Sequence, residues 1–217
     1  MADIFQEVDE EVRRERLNKL WQRYGGFIVV LCVLVVAGVG AWRAYDYWQT
    51  KKAGESGAAF EAAVTLAEAG KSQDAEAAFA KLATDGTAGY RVLASLREAA
   101  ELARTDNKAA VKAYDDIAAN KSAGQVIQDL AAVRAGFLLV DTAPYSELQS
   151  RLEPLTGADR PYRHSARELL ALSAWKSGDA TAARKWADMI MTDPQTPQGT
   201  RTRAEVLSEL IAASGKG

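Results

Sequence analysis

The sequence predicts an all-α chain: a single membrane-crossing helix near the N-terminus, followed by a solenoid of about four helical hairpins and a capping helix. Three observations carry this. An uncharged run of nineteen residues lies at 24–42. Beyond it, a pattern of small, large and apolar residues recurs every 34–38 residues. Alanine is abundant, and only five prolines occur in 217 residues. That composition favours closely packed helices.

The apolar run, "YGGFIVVLCVLVVAGVGAW", is bounded by Arg23 and Arg43. As a helix it covers about 28 Å, close to the roughly 30 Å hydrocarbon core of a bilayer. A secretory leader has a shorter apolar core behind a short basic start. Here 23 residues precede the run, and several are acidic. Ala37–Ala41 only loosely imitates a cleavage site. Rings flank the run at both ends: Trp21, Tyr24 and Phe27 on one side, Trp42, Tyr45, Tyr47 and Trp48 on the other. Amphipathic rings settle at the headgroup level of both interfaces. Trp21, Tyr24, Trp42, Tyr45 and Trp48 are therefore the expected membrane-interface residues, and 24–42 the expected permanent span.

Orientation follows from Lys and Arg. Arg13, Arg14, Arg16, Lys19 and Arg23 precede the span, against Arg43, Lys51 and Lys52 after it. This bias predicts a cytoplasmic N-terminus, with the residues after about Trp48 on the far side of the membrane, which for the inner membrane of a Gram-negative bacterium is the periplasm. Cys32, the sole cysteine, lies within the span, so the exported part has no disulfide framework. The expected organisation is a cytoplasmic amphipathic leader at 1–23, the span at 24–42, a linker at 43–53 and a repeat domain at 54–217. The leader carries one apolar stripe at Ile4, Val8 and Val12. A second, on the opposite side, runs through Leu17, Leu20, Trp21 and Tyr24.

From Gln49 onward the chain has 21 Lys and Arg against 22 Asp and Glu. The signs are interspersed, so no basic stripe points to nucleic acid and no charge run to a disordered tail. Four segments of this domain share the repeating pattern: Ala75-Phe79-Leu82, Ala110-Tyr114-Ile117, Leu148-Leu152-Leu155 and Ala182-Trp186-Met189. A break precedes each, as in Ser177-Gly178-Asp179. Longer helical segments containing Arg97, Arg134 and Arg167 precede the last three breaks. Two helices per period of this length is the signature of hairpin repeats of the tetratricopeptide kind. One hairpin cannot bury its apolar face alone, so hairpins stack. Phe79, Tyr114, Leu152 and Trp186 are the expected repeat core. The first hairpin pairs about 54–69 with 72–83, and a helix at about 196–213 caps the far end.

Several strings resemble the YfgM-type ancillary subunits of the SecYEG translocon. They are Ala41-Trp42-Arg43 with Tyr45, Tyr47 and Trp48, "YRVLASL" at 90–96, and "SGDATAARKW" at 177–186. The resemblance implies a tetratricopeptide-like periplasmic domain on one N-terminal anchor. The repeats lack the Trp-Leu-Gly-Tyr set of the common consensus, so no binding residue carries over and the partner-binding residues stay unknown.

No catalytic constellation is apparent, so catalytic, metal and cofactor-binding residues are expected to be none. A Ser-His-Asp or Cys-His system needs a histidine, and the sole candidate is His164 beside Arg163. A satisfied helical histidine is the plainer reading of it. Asp115-Asp116 and Glu10-Glu11 are adjacent on helices and point about 100° apart, so neither pair shares one site. Trp175, Trp186 and Tyr114 read as core aromatics. The expectation is a protein-binding platform, not an enzyme, with the bilayer and proteins as partners and no small-molecule substrate or cofactor. The resemblance implies an association with the export translocon, emerging polypeptide or a periplasmic chaperone. The alternative is a scaffold for another envelope complex, such as cell-division machinery.

If 24–42 is a retained span, N-terminal sequencing of the protein purified from membranes returns the residues before Trp21. A mature chain starting near Ala41 would make the segment a cleaved leader.

Overall fold

The computed structural model describes the backbone of residues 2–214 and the side chains from Trp21 to Ser214. The leader residues Ile4, Val8, Val12, Leu17 and Leu20 lie outside the described side chains. The described residues contain helices and turns and no strand. The chain divides into two units, Met1–Gly54 and Glu55–Gly217.

The first unit is helical throughout its described length and belongs to α1 (Ala2–Glu68). All five prolines come after residue 143, so nothing in this stretch removes a helix donor. The segment 43–53, expected as a linker, is helical. Its residues, "RAYDYWQTKKA", include neither Pro nor Gly, and helix propensity carries the turns onward. The region from Trp21 is long and apolar enough to cross a membrane, and little of it is buried within the protein. Trp21, Tyr24, Trp42, Tyr45 and Trp48 are all exposed.

The second unit starts with the last residues of α1 and continues through eight further helices. These are α2 (Ser72–Asp85), α3 (Ala88–Leu102), α4 (Asn107–Ala119), α5 (Gln125–Leu139), α6 (Tyr145–Leu152), α7 (Arg163–Lys176), α8 (Ala180–Thr192) and α9 (Gln198–Ala213). Each helix from α2 onward packs on the next. The hairpins are thus the end of α1 with α2, α3 with α4, α5 with α6, and α7 with α8, with α9 over the open end.

Local chemistry sets the boundaries. The Asp106 carboxylate accepts from the amides of Lys108 and Ala109, and Asp179 accepts from Ala182, each capping a helix start. Gly178 turns the last hairpin with a φ of 83°, a left-handed conformation that costs glycine little. Pro154 ends α6 after two turns, and a 3-10 turn at Glu153–Leu155 replaces the third. The expected helical trio Leu148-Leu152-Leu155 therefore straddles a change of helix type.

The core falls into three clusters. Ala63, Ala75, Phe79, Leu82 and Ala94 join the end of α1 to α2 and α3. There the Phe60 ring sits 5.5 Å from Phe79 and 5.9 Å from Tyr90, and the Thr87 amide donates to Ser56 Oγ. Ala99, Tyr114, Ile117, Ala131 and Ala135 join α3, α4 and α5. The largest cluster runs from Val133 on α5 to Ile211 on α9. Phe79, Tyr114, Leu152 and Trp186 are all buried, one each on α2, α4, α6 and α8. Small residues face them. At Gly136 on α5 a Cβ would stand 3.0 Å from Leu152 Cδ1 and 3.2 Å from Leu169 Cδ1, so glycine is what lets these helices close. The apolar face of α8 is wider than the repeat pattern implies: Ala183 and Ile190 are buried, whereas Ala182 and Met189 are half-buried. The Trp186 indole N–H donates to Tyr145 Oη at 2.9 Å, so its polar edge is satisfied inside the core.

Truncating either buried ring, Tyr114→Ala or Trp186→Ala, should cost about 3–5 kcal/mol of stability. Thermal unfolding of the detergent-solubilised protein reads this out, and an unchanged midpoint in both variants would remove these rings from the core.

Candidate functional site

Two features of the second unit stand apart from its apolar core: a row of exposed apolar side chains and a buried polar cluster.

The exposed large apolar residues of this unit are Leu93 on α3, Val126 and Phe137 on α5, Leu172 on α7, and Val206 and Leu210 on α9. All lie on the first helices of their hairpins or on the cap. Among the described residues, α2, α4, α6 and α8 expose none of comparable size. Ion pairs fix how the row aligns. Lys176 at the end of α7 bonds to Asp141 just beyond α5. One helical turn back along these parallel helices brings Phe137 beside Leu172. Arg203 on α9 pairs with Glu168 on α7, through Nη2 at 2.9 Å and through Nε. One turn forward brings Leu172 beside Val206. Phe137, Leu172 and Val206 thus form a stripe across three helices, bordered by two ion pairs.

The first helices also pack on one another: α5 on α7 and α7 on α9. No comparable packing joins α4 to α6 or α6 to α8 among the described residues. From α5 to α9 the first helices therefore line the inner side and the second helices stand apart outside them, whereas α3 makes no comparable contact with α5. Arg97 and Arg134 are exposed beside the apolar row, on α3 and α5. Arg167, at the matching place in the repeat, is buried, so these three arginines are not equivalent.

Arg167 belongs to the polar cluster. Its Nε and Nη2 donate to the Thr156 carbonyl at 3.1 and 2.8 Å, and Nη1 donates to Met189 O and Asp193 Oδ2. Arg163 donates to Asp193 Oδ2 at 2.9 Å and to Gln195 Oε1 at 2.6 Å. The Thr196 hydroxyl donates its proton to Ile190 O at 2.7 Å and lies 3.1 Å from His164 Nδ1. With that proton spent, the contact requires His164 to carry its own on Nδ1. The cluster clamps α7, the turn before it and the α8–α9 connection. Every group named is engaged in that clamp, and His164 is a satisfied helical residue within it. Trp175, expected as core, is half-buried against the largest apolar cluster.

Electrostatics in the clamp are strongly polarised. The Arg163 hydrogen bond holds the Asp193 carboxyl well below the usual carboxylate range against the opposing effect of burial, with the Gln195 amide and Arg167 adding to it. Burial lowers the His164 pKa, and the positive charge of Arg163 lowers it further against the pull of Asp193. No group of three or more His, Cys, Asp or Glu side chains suited to a metal occurs among the described residues.

The exposed row escaped sequence reasoning because all its members but Val126 sit one helical position from buried ones. The available signal was an apolar residue flanked by charges on its own face, as Leu172 is by Glu168 and Lys176.

The tetratricopeptide repeat-like domain family model matches residues 18–185. The chain belongs to this family. No curated protein and no solved structure matches it. The match begins within α1 and ends inside α8, leaving Trp186 and α9 beyond it. A tetratricopeptide repeat-like domain is a protein–protein interaction module, and the inner apolar row is where this one presents uncovered apolar surface.

His164 makes the clamp sensitive to acid. Its folded pKa lies below the ordinary histidine value of about 6.5, so the stability tied to its neutral form is present above that value and lost as pH falls below it. Asp193 stays ionised over this range. The raised carboxyl pKa values of Glu98 and Asp129 act in the opposite sense. The readout is therefore a difference: between pH 7 and 5 the wild-type unfolding midpoint should fall further than that of His164→Gln. Equal falls would take His164 out of the response.

Proposed function

We propose that the protein is an inner-membrane-anchored binding platform of the protein-export machinery. The span at 24–42 places the N-terminus in the cytoplasm and the repeat domain, 54–217, in the periplasm. Trp21, Tyr24, Trp42, Tyr45 and Trp48 seat the span at the two interfaces. Phe79, Tyr114, Leu152 and Trp186 are equivalent core residues of successive repeats, and the domain works by binding and not by catalysis.

The observation that carries this reading is the stripe Phe137–Leu172–Val206 on the inner face. An apolar stripe bordered by ion pairs suits polypeptide with exposed apolar side chains, whether an emerging chain or a chaperone that handles one. The link to the translocon is supported by the resemblance of the membrane-exit and "SGDATAARKW" strings. Anchoring raises the effective concentration of the platform near its partners.

Site-specific photo-crosslinking from Phe137 and Leu172 in intact cells tests the reading. Crosslinks to translocon subunits, to exported polypeptide or to a membrane-anchored chaperone are expected. Crosslinks confined to division or other envelope assemblies would overturn it. Leu172→Glu should leave the unfolding midpoint unchanged and weaken the contact by about 2 kcal/mol, the scale of an interface anchor.

A further inference from the structure

On the outer side, ion pairs tie the second helices across their gaps. Arg151 on α6 reaches Asp115 on α4 at 2.6 Å. Lys185 on α8 reaches Glu153, just after α6, at 3.9 Å. The register is regular. Each base stands one residue before the buried Leu152 or Trp186 of its own helix. Each acid stands one residue after the buried Tyr114 or Leu152 of the preceding one. The same two positions at the first gap are Ala80 on α2 and Ala113 on α4. Among the described residues, no ion pair crosses that gap.

A groove opens there instead along α3 and α4, reaching α2 at Ala83. It consists of two adjoining clefts of about 210 and 270 Å³. Ala83, Ala88, Val92, Ala113 and Ile117 supply small and apolar lining, interspersed with the polar Ser95, Asn120 and Ser122. These α3 residues lie on the side opposite Leu93 and Arg97, so the groove and the inner row are different faces. Glu98 on α3 and Asp116 on α4 line one end. Glu76 on α2 is close enough that its charge, after burial, helps raise the Glu98 pKa. Asp116 has Lys112 of its own helix at 2.8 Å, both side chains being largely exposed. Arg91 stands at the other end and donates to the Gly86 carbonyl. No cation pairs with Glu98 or Glu76 among the described residues.

We propose that this groove is a docking site for a helix of a partner protein, whose Arg or Lys side chain supplies the cation missing at the first gap. Charge complementarity selects a basic occupant: Glu76, Glu98 and Asp116 gather where the later gaps hold a base. The small lining admits close approach of a helix backbone, and each cleft has room for a long side chain.

The test uses the full-length protein in detergent and a fluorescent, Ala-rich helical peptide with arginines on one face. A peptide with glutamates in their place is the control. Fluorescence anisotropy should show binding of the arginine peptide, weakening with salt, and none of the control. Glu98→Gln should weaken binding about tenfold, the scale of one charge-assisted contact. Ala113→Arg, which restores the missing base within the chain, should block binding without lowering the unfolding midpoint. No binding of the arginine peptide, or binding that neither substitution alters, would overturn the proposal. Self-association of the wild type that Ala113→Arg abolishes would also overturn it, by making the occupant a second copy of this chain.

Discussion

Everything in the repeat domain depends on one packing constraint: each seam between hairpins is filled by one large side chain against small ones. A two-helix hairpin has apolar surface on both flanks and cannot cover it alone. At the first seam Phe79 meets Ala63, Ala75 and Ala94. At the next, Tyr114 meets Ala99, Ala131 and Ala135. Leu152 then presses on Gly136, and Trp186 fills the space among Ala174, Ala180 and Ala183. The alternation of large and small lets the helices approach. Approach on the inner side, with splay outside, produces both the apolar row and the outer gaps.

Much of this was legible in the sequence because it is periodic. The 34–38 residue spacing of Phe79, Tyr114, Leu152 and Trp186 locates the second helices, and the Gly178-Asp179 turn locates a boundary. The helical 43–53 segment was not legible, since polar residues between two apolar regions read equally as helix or linker. Pro154 was visible, but its shortening of α6 was not weighed against the apolar spacing that ran through it. The inner row was hidden for a geometric reason. Phe137 and Leu172 are as apolar as their buried neighbours Val133 and Leu169, and only the pairing of helices decides which faces outward. The Arg163–Arg167–Asp193 clamp was hidden too, because Asp193 comes from a connection whose path no periodicity describes.

The two kinds of ionic contact do different work. Exposed pairs such as Lys112–Asp116 contribute little by themselves. The clamp is another matter, with Arg163, Arg167 and Asp193 all largely withdrawn from solvent. Removing one partner would leave the others desolvated and unpaired, which is far more destabilising than losing a surface pair. It fastens the end of the solenoid that lies furthest from α1 in sequence.

The three apolar clusters are unequal, and their order along the chain has a consequence for biogenesis. The two small ones, around Phe79 and Tyr114, are completed first as the polypeptide is made. The large one also needs Leu207 and Ile211 of α9, which follow the other members in the chain. In a stacked array each unit leans on its neighbour. The seam around Leu169, Leu170 and Trp186 therefore stays incomplete until Leu207 and Ile211 have emerged. During that interval a nascent chain presents an unfinished seam around Trp186. For that interval the protein is itself an incomplete polypeptide with uncovered apolar surface.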